Sequence, residues 1–326
     1  RMEWGSERGD EEAGRHRHPP QLDVVQEVHG DAFGDRSAKP PGLVFEDRPE
    51  MAGRPFEVPD HGSLLEILEE IHRTNQRNAV VLVRQGEHLA MVDGRPFEVR
   101  VAGLTVKGLS VDDSQRHRMP VIRGRLTLCR GSSGSIQDIE FAPTLGDQHC
   151  GVTILGGQWQ LMECRLRCGG APPPEKLTLA GHQQLDQPVL LKSEFKQLDV
   201  PVMITGGDVI LEDCKLGGYS REHRAYHALY VTKDSTCTAE GCTFSHTYGS
   251  AIELRDSAQV KLHECTLKRN KTALSAGFPN EASIELEENH IYKNESLWDK
   301  CGAKEVVDHR NNMDGNGYFI QVIPTV

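Results

Sequence analysis

Between Ile136 and Met313 the hydrophobic and polar positions follow one recurring pattern. An aliphatic residue is followed by two polar residues, a small or thiol residue, one polar residue and a large apolar residue. The copies read Ile136…Ile139…Phe141, Leu161…Cys164…Leu166, Leu190…Ser193…Phe195, Leu211…Cys214…Leu216, Ala239…Cys242…Phe244, Leu262…Cys265…Leu267 and Leu286…Asn289…Ile291, with a frayed eighth around Asn311 and Met313. Successive centres lie 21 to 29 residues apart. A second strand recurs at Gly151 to Ile154, Ala228 to Val231, Ala251 to Leu254 and Ala273 to Ala276. Two or three short strands cannot bury a face within one repeat, so each coil must stack on the next. The expectation is an all-β solenoid with parallel ladders at about 4.8 Å. A leucine-rich repeat has a similar period, but its LxxLxL strand is missing. Two longer stretches, Arg167 to Pro188 and Tyr292 to Arg310, read as insertions that leave the solenoid as surface loops.

Upstream, Ser63 with Glu66 forms a capping box, and Leu64, Leu68 and Ile71 share one face of a short helix that would cap the solenoid. A strand follows at Ala79 to Val83, and Val99 to Val106 and Val121 to Leu128 supply the first coils. Residues 1–60 are rich in charge, Gly and Pro with no lasting apolar period, so they read as a disordered or partner-pinned arm preceding a β-helix domain at 61–326. The hexamer Gly53 to Val58 recurs unchanged as Gly94 to Val99.

Composition narrows the function. A formal net charge of -11 disfavours nucleic acid or anionic lipid, which need excess Lys and Arg. No apolar run is long enough to cross a bilayer, so no membrane insertion is expected. The chain opens on Arg1, and a targeting segment could have been removed before it. Nine cysteines without a compact scaffold spacing point to free thiols in an intracellular, reducing compartment, whether cytosol, nucleus or organelle interior.

The repeats, with Val101 to Gly108 followed by Pro120 to Gly124, and the turns Asn289 to Asn294 and Asn311 to Asn316, resemble the right-handed parallel β-helices of the pectin-lyase-like superfamily with carbohydrate-binding and sugar-hydrolase type repeats. The resemblance covers about residues 63 to 322. Within the superfamily the chain looks closest to the non-catalytic eukaryotic kind, such as β-helical F-box proteins and the Shc-binding protein. That resemblance implies an all-β right-handed parallel β-helix with an N-terminal capping helix.

Candidate sites follow from the coil geometry. Cys164, Cys214, Cys242 and Cys265 share one inward position, and a ladder of small side chains is preferred to a metal or redox wire. His223, His227, Cys237 and His246 would make a zinc site only if turns gathered them; without a CxxC pair a solvated loop is the expectation. The residue between inward aliphatics of the second strand should face outward, giving Thr153, Tyr230, Glu253 and Ser275, with Met203 and Gln321. That file holds one carboxylate and no neighbouring base, too little for glycosidic cleavage or proton abstraction beside a uronate. The RxPxxR-type lyase signature is absent, and Asp308-His309, which resembles an epimerase acid/base doublet, falls in an expected insertion. No catalytic residue, metal ligand or cofactor is therefore assigned. Asp138, Glu163, Asp213, Glu264 and Glu288 should form an acidic ridge along one bend, interrupted by Lys192 and Gly241, suited to a basic segment or calcium. Tyr219, Arg221, His223, Arg224 and Tyr226 crowd one excursion with the residue types that anchor interfaces. The expected function is a non-enzymatic protein-binding or structural scaffold within a larger assembly; the alternative is a polysaccharide-binding or polysaccharide-modifying protein of lyase or epimerase type.

Overall fold

The computed structural model describes residues 54–92, 94–109, 119–143, 150–168, 200–277, 281–299 and 303–317. Short strands wind through these residues into three sheets of ten, eight and nine strands. Each full coil visits the first, second and third sheet in turn, as in Ser133–Gln137, Glu140–Ala142 and Gly151–Ile154. Pairing within each sheet is parallel and in register, except where Met91–Val92 meets Arg95–Val99 antiparallel.

The register places the repeat as its pattern demands. Ile136, Leu161, Leu211, Ala239, Leu262 and Leu286 are successive Cα partners in the first sheet. All are buried, as are Phe141, Leu166, Leu216, Phe244, Leu267 and Ile291 in the second sheet. Because side chains alternate across a strand, fixing these positions inward fixes every intervening residue outward.

From Ser133–Gln137 onward, each first-sheet strand is followed by one residue in the left-handed conformation: Asp138, Glu163, Asp213, Gly241, Glu264, Glu288 and Arg310, with φ between 50° and 63°. Side chains rarely adopt this region. Here the amide of each of these residues but Arg310 donates to the next coil, Asp138 N–H to Met162 O at 3.1 Å, Glu163 to Glu212 at 2.9 Å and Asp213 to Glu240 at 2.9 Å, so the kink satisfies the backbone. The residue behind it stacks inward. Cys164, Cys214, Cys242 and Cys265 each donate Sγ–H to a carbonyl of the preceding coil at 3.3 to 3.4 Å. Asn289 and Asn311 continue that file with Nδ2 donating to Leu262 O and Leu286 O, both at 2.9 Å. The thiols therefore occupy positions that later coils give to an asparagine ladder. A second ladder, Thr247, Asn270, Asn294 and Asn316, lines the bend between second and third sheets.

At the N-terminal end lies the helix Leu64–Thr74. Ser63 Oγ accepts from the Glu66 amide at 3.3 Å and Glu66 Oε2 accepts from the Ser63 amide at 2.8 Å, closing the capping box. Leu64, Ile67, Leu68 and Ile71 are buried on its inner face. His72, at its other end, stacks on Phe97 at 5.3 Å, and its Nε2 accepts the Arg100 amide at 3.0 Å. No helix among the described residues is long and apolar enough to cross a membrane.

Two sequence expectations differ from the fold. Tyr292 to Arg310 is not an excursion: Ser296–Asp299 and Glu305–His309 are strands of the third and first sheets, paired to Thr272–Ala276 and Ser283–Glu287. The copy Leu190…Ser193…Phe195 lies outside the described residues; the described first-sheet strands on either side of it, Gln158–Met162 and Asp208–Glu212, pair directly with each other. Phe56–Val58, within the segment assigned to the arm, is a first-sheet strand in register with Val81 to Val83. Its twin hexamer also forms a strand, Arg95–Val99, but in the third sheet.

Candidate functional site

The outward file of the third sheet is continuous: Thr153, Met203, Tyr230, Glu253 and Ser275 are successive Cα partners. Gln321 lies outside the described residues. These side chains point away from the solenoid interior, yet Thr153, Tyr230, Glu253 and Ser275 are each less than a tenth exposed. Nor is Glu253 isolated, as its sequence neighbours suggested. Its Oε1 pairs with Arg255 Nη2 at 2.6 Å and its Oε2 accepts Ser250 Oγ–H at 3.2 Å. The Ser250 amide donates to His227 Nδ1 at 3.0 Å, which leaves the proton of the neutral imidazole on Nε2. Burial pushes the His227 pKa down, opposed by the Glu253 carboxylate. The Tyr230 ring lies 6.2 Å from His227, and Tyr226 meets the imidazole edge-on at 4.6 Å. A carboxylate, a guanidinium, an imidazole and a phenol thus meet on one outward patch. Sequence reasoning missed it because Arg255 follows the strand and His227 precedes another.

The proposed zinc set does not assemble. His227 bonds Ser250, His223 Nδ1 lies 3.4 Å from Ser220 Oγ, Cys237 is buried inside the first sheet and His246 sits at the bend after Thr243–Ser245. Burial also pushes the Cys164 and Cys237 thiols up, as expected of core side chains. Among the described residues the closest metal-ligand grouping is His263, Glu264 and Glu288, within 4.8 Å of one another, but Glu288 already holds Arg310 Nη2 at 2.8 Å.

Asp138, Glu163, Asp213, Glu264 and Glu288 share the bend described above and so form a ridge, with Gly241 as its gap. Crowding is tangible at Glu163, whose pKa is raised chiefly by Asp138. Asp308 Oδ1 accepts from Asn311 Nδ2 at 2.6 Å at the end of a ladder.

The excursion Gly218 to His227 is a tied loop. Ser220 Oγ accepts the amides of Glu222 and His223, both at 3.2 Å, and Arg224 Nε donates to Arg221 O at 3.0 Å. Ala225 bonds His246 O and the Tyr248 amide, pinning the loop to the next coil. Gly218 is required, since a Cβ there would lie 2.4 Å from His223 O. Arg224 folds back over Tyr248, at 5.3 Å from the ring, while Tyr219, Arg221, His223 and Tyr226 remain exposed.

A family model described as "right handed beta helix region" matches residues 184–320. The chain is a right-handed parallel β-helix. PfbA, a surface adhesin of Streptococcus pneumoniae, is similar to this β-helix with a TM-score of 0.44 and 10% identity, over 80% of this chain and 79% of that one. The pectin methylesterase of Aspergillus niger, in deglycosylated form, gives a TM-score of 0.42 and 13% identity over 83% and 91%. No curated protein matches the sequence.

Proposed function

We propose that this β-helix is a non-enzymatic binding scaffold for a protein partner, working as a subunit of a larger assembly. The observation that carries the reading is the Gly218 to His227 loop. Its backbone is fixed by Ser220, Arg224 and the pairing of Ala225 to the next coil, so little order has to be created when a partner docks. Two exposed tyrosines with Arg221 and His223 on a rigid rod are suitable anchors. Residues 1–53 serve in this reading as an arm that the partner pins.

The test is native purification of the tagged full chain alongside a Tyr219→Ala, Tyr226→Ala variant. The scaffold reading expects a stoichiometric protein partner that the variant loses. A monomer that cleaves a polysaccharide would overturn it. Polysaccharide binding is the second reading, favoured by the meeting of Tyr230, Glu253, Arg255 and His227 on the outward side of the third sheet. Saturable binding of polygalacturonate, weakened by Arg255→Gln, would establish it in place of the first.

A further inference from the structure

The net charge of -11 conceals a basic flank. On the outward face of the second sheet, Arg167, Gly217, Ser245, Lys268 and Tyr292 are successive Cα partners, and Lys215 stands beside Thr243 two residues away. The next bend repeats the left-handed kink at His246, Arg269 and Lys293, with φ of 59°, 59° and 57°. In the later coils the two bends thus carry opposite charge, Glu264 and Glu288 before the second sheet and Arg269 and Lys293 after it. Among the described residues none of Arg167, Lys215, Lys268, Arg269 and Lys293 has a carboxylate within 4.0 Å. Their convergence is felt by half-buried His246, whose pKa is lowered by burial and then by Arg269, Arg224, Lys268 and Arg167. Tyr219 borders this flank, with Arg167 at 5.9 Å from its ring, and Lys293 lies 5.7 Å from that of Tyr292.

We propose that this flank is a docking site for a short acidic peptide segment. The proposal rests on the scaffold reading and names the chemistry of its partner. From the strand Arg165–Arg167 to His290–Tyr292 the sheet advances four steps. At about 4.8 Å each that is about 19 Å, the span of about six extended residues. Length decides between acidic ligands. Fields are screened within about 8 Å at physiological salt, so a segment laid along Arg167, Lys268, Arg269 and Lys293 meets chiefly their charge. A long polyanion would also meet the carboxylates that make the rest of the molecule acidic.

The test is fluorescence anisotropy with a labelled hexaglutamate peptide and the full chain. Saturable binding is expected, weakened by added salt and reduced by at least about tenfold in the double variant Lys268→Glu, Arg269→Glu. Glutamate is compatible with the kink, as Glu264 and Glu288 show, and an unchanged thermal melt verifies the fold. Glu264→Lys, on the opposite bend, should leave the affinity unchanged. Equal affinity of the double variant and the parent, or no saturable binding, overturns the proposal. So does tighter binding of a single-stranded oligonucleotide. Binding of hexalysine instead would overturn this site while leaving a protein-binding scaffold; binding of polygalacturonate alone would overturn both.

Discussion

Replacing Asn289 tests whether the inner file holds the coils together by hydrogen bonding or merely fills space. Asn289 is almost fully buried; its Oδ1 accepts the Cys265 amide at 2.8 Å and its Nδ2 donates to Leu262 O at 2.9 Å. Asn289→Ala removes a partner from two buried backbone groups, each worth about 1–3 kcal/mol, so a loss of about 2–6 kcal/mol is expected. Asn289→Cys should be milder. The thiol can donate to Leu262 O as Cys265 donates to Ala239 O at 3.3 Å, leaving only the Cys265 amide unserved at about 1–3 kcal/mol. Urea unfolding followed by far-ultraviolet circular dichroism gives the ranking, and amide exchange at Cys265 should lose protection in both variants. Equal destabilisation by Ala and Cys, or a loss under about 0.5 kcal/mol for Ala, would refute a hydrogen-bonding role.

Further outcomes follow from the same geometry. Leu68→Ala, beneath the capping helix, should cost about 2–5 kcal/mol and speed proteolysis near residues 64–74; resistance equal to the parent would show that the helix does not seal the first coils. Gly217→Ala should destabilise strongly, because a Cβ at φ +132° would lie 1.8 Å from Ser245 O; a melting temperature within about 2 °C of the parent would contradict the close approach of these coils. The pKa of His72 is lowered from 6.5, chiefly by burial, so the fold favours its neutral form. Its contribution is fully present above the unfolded pKa and is lost as pH falls below it. The melting temperature should therefore drop between about pH 7.5 and about pH 5.5, and less in His72→Gln, whose amide oxygen can still accept the Arg100 amide; identical pH profiles would exclude His72 as a contributor.

The solenoid was legible in the sequence because inward positions repeat chemically: Leu161, Leu211 and Leu262 can be aligned by eye, and the register places them in one file. Local pattern failed where tertiary pairing decides. Ser296–Asp299 departs from the small-aliphatic signature, since Leu297 and Trp298 are its buried residues, and so its sequence reads as loop. The acidic ridge could be read because one residue per repeat carries it. The patch joining His227 to Glu253 and the basic flank joining Arg167 to Lys293 could not. Each is assembled across coils from different repeat positions, and a net charge averages the flank away.

Opposite charge on two bends makes the later coils of the solenoid a transverse dipole, Glu264 and Glu288 on one side against Arg269 and Lys293 on the other. Such an object responds to gradients that its net charge would not predict. It should be retained by a cation exchanger at a pH where it is formally an anion, and an approaching ion would experience a torque on the rod before any contact forms.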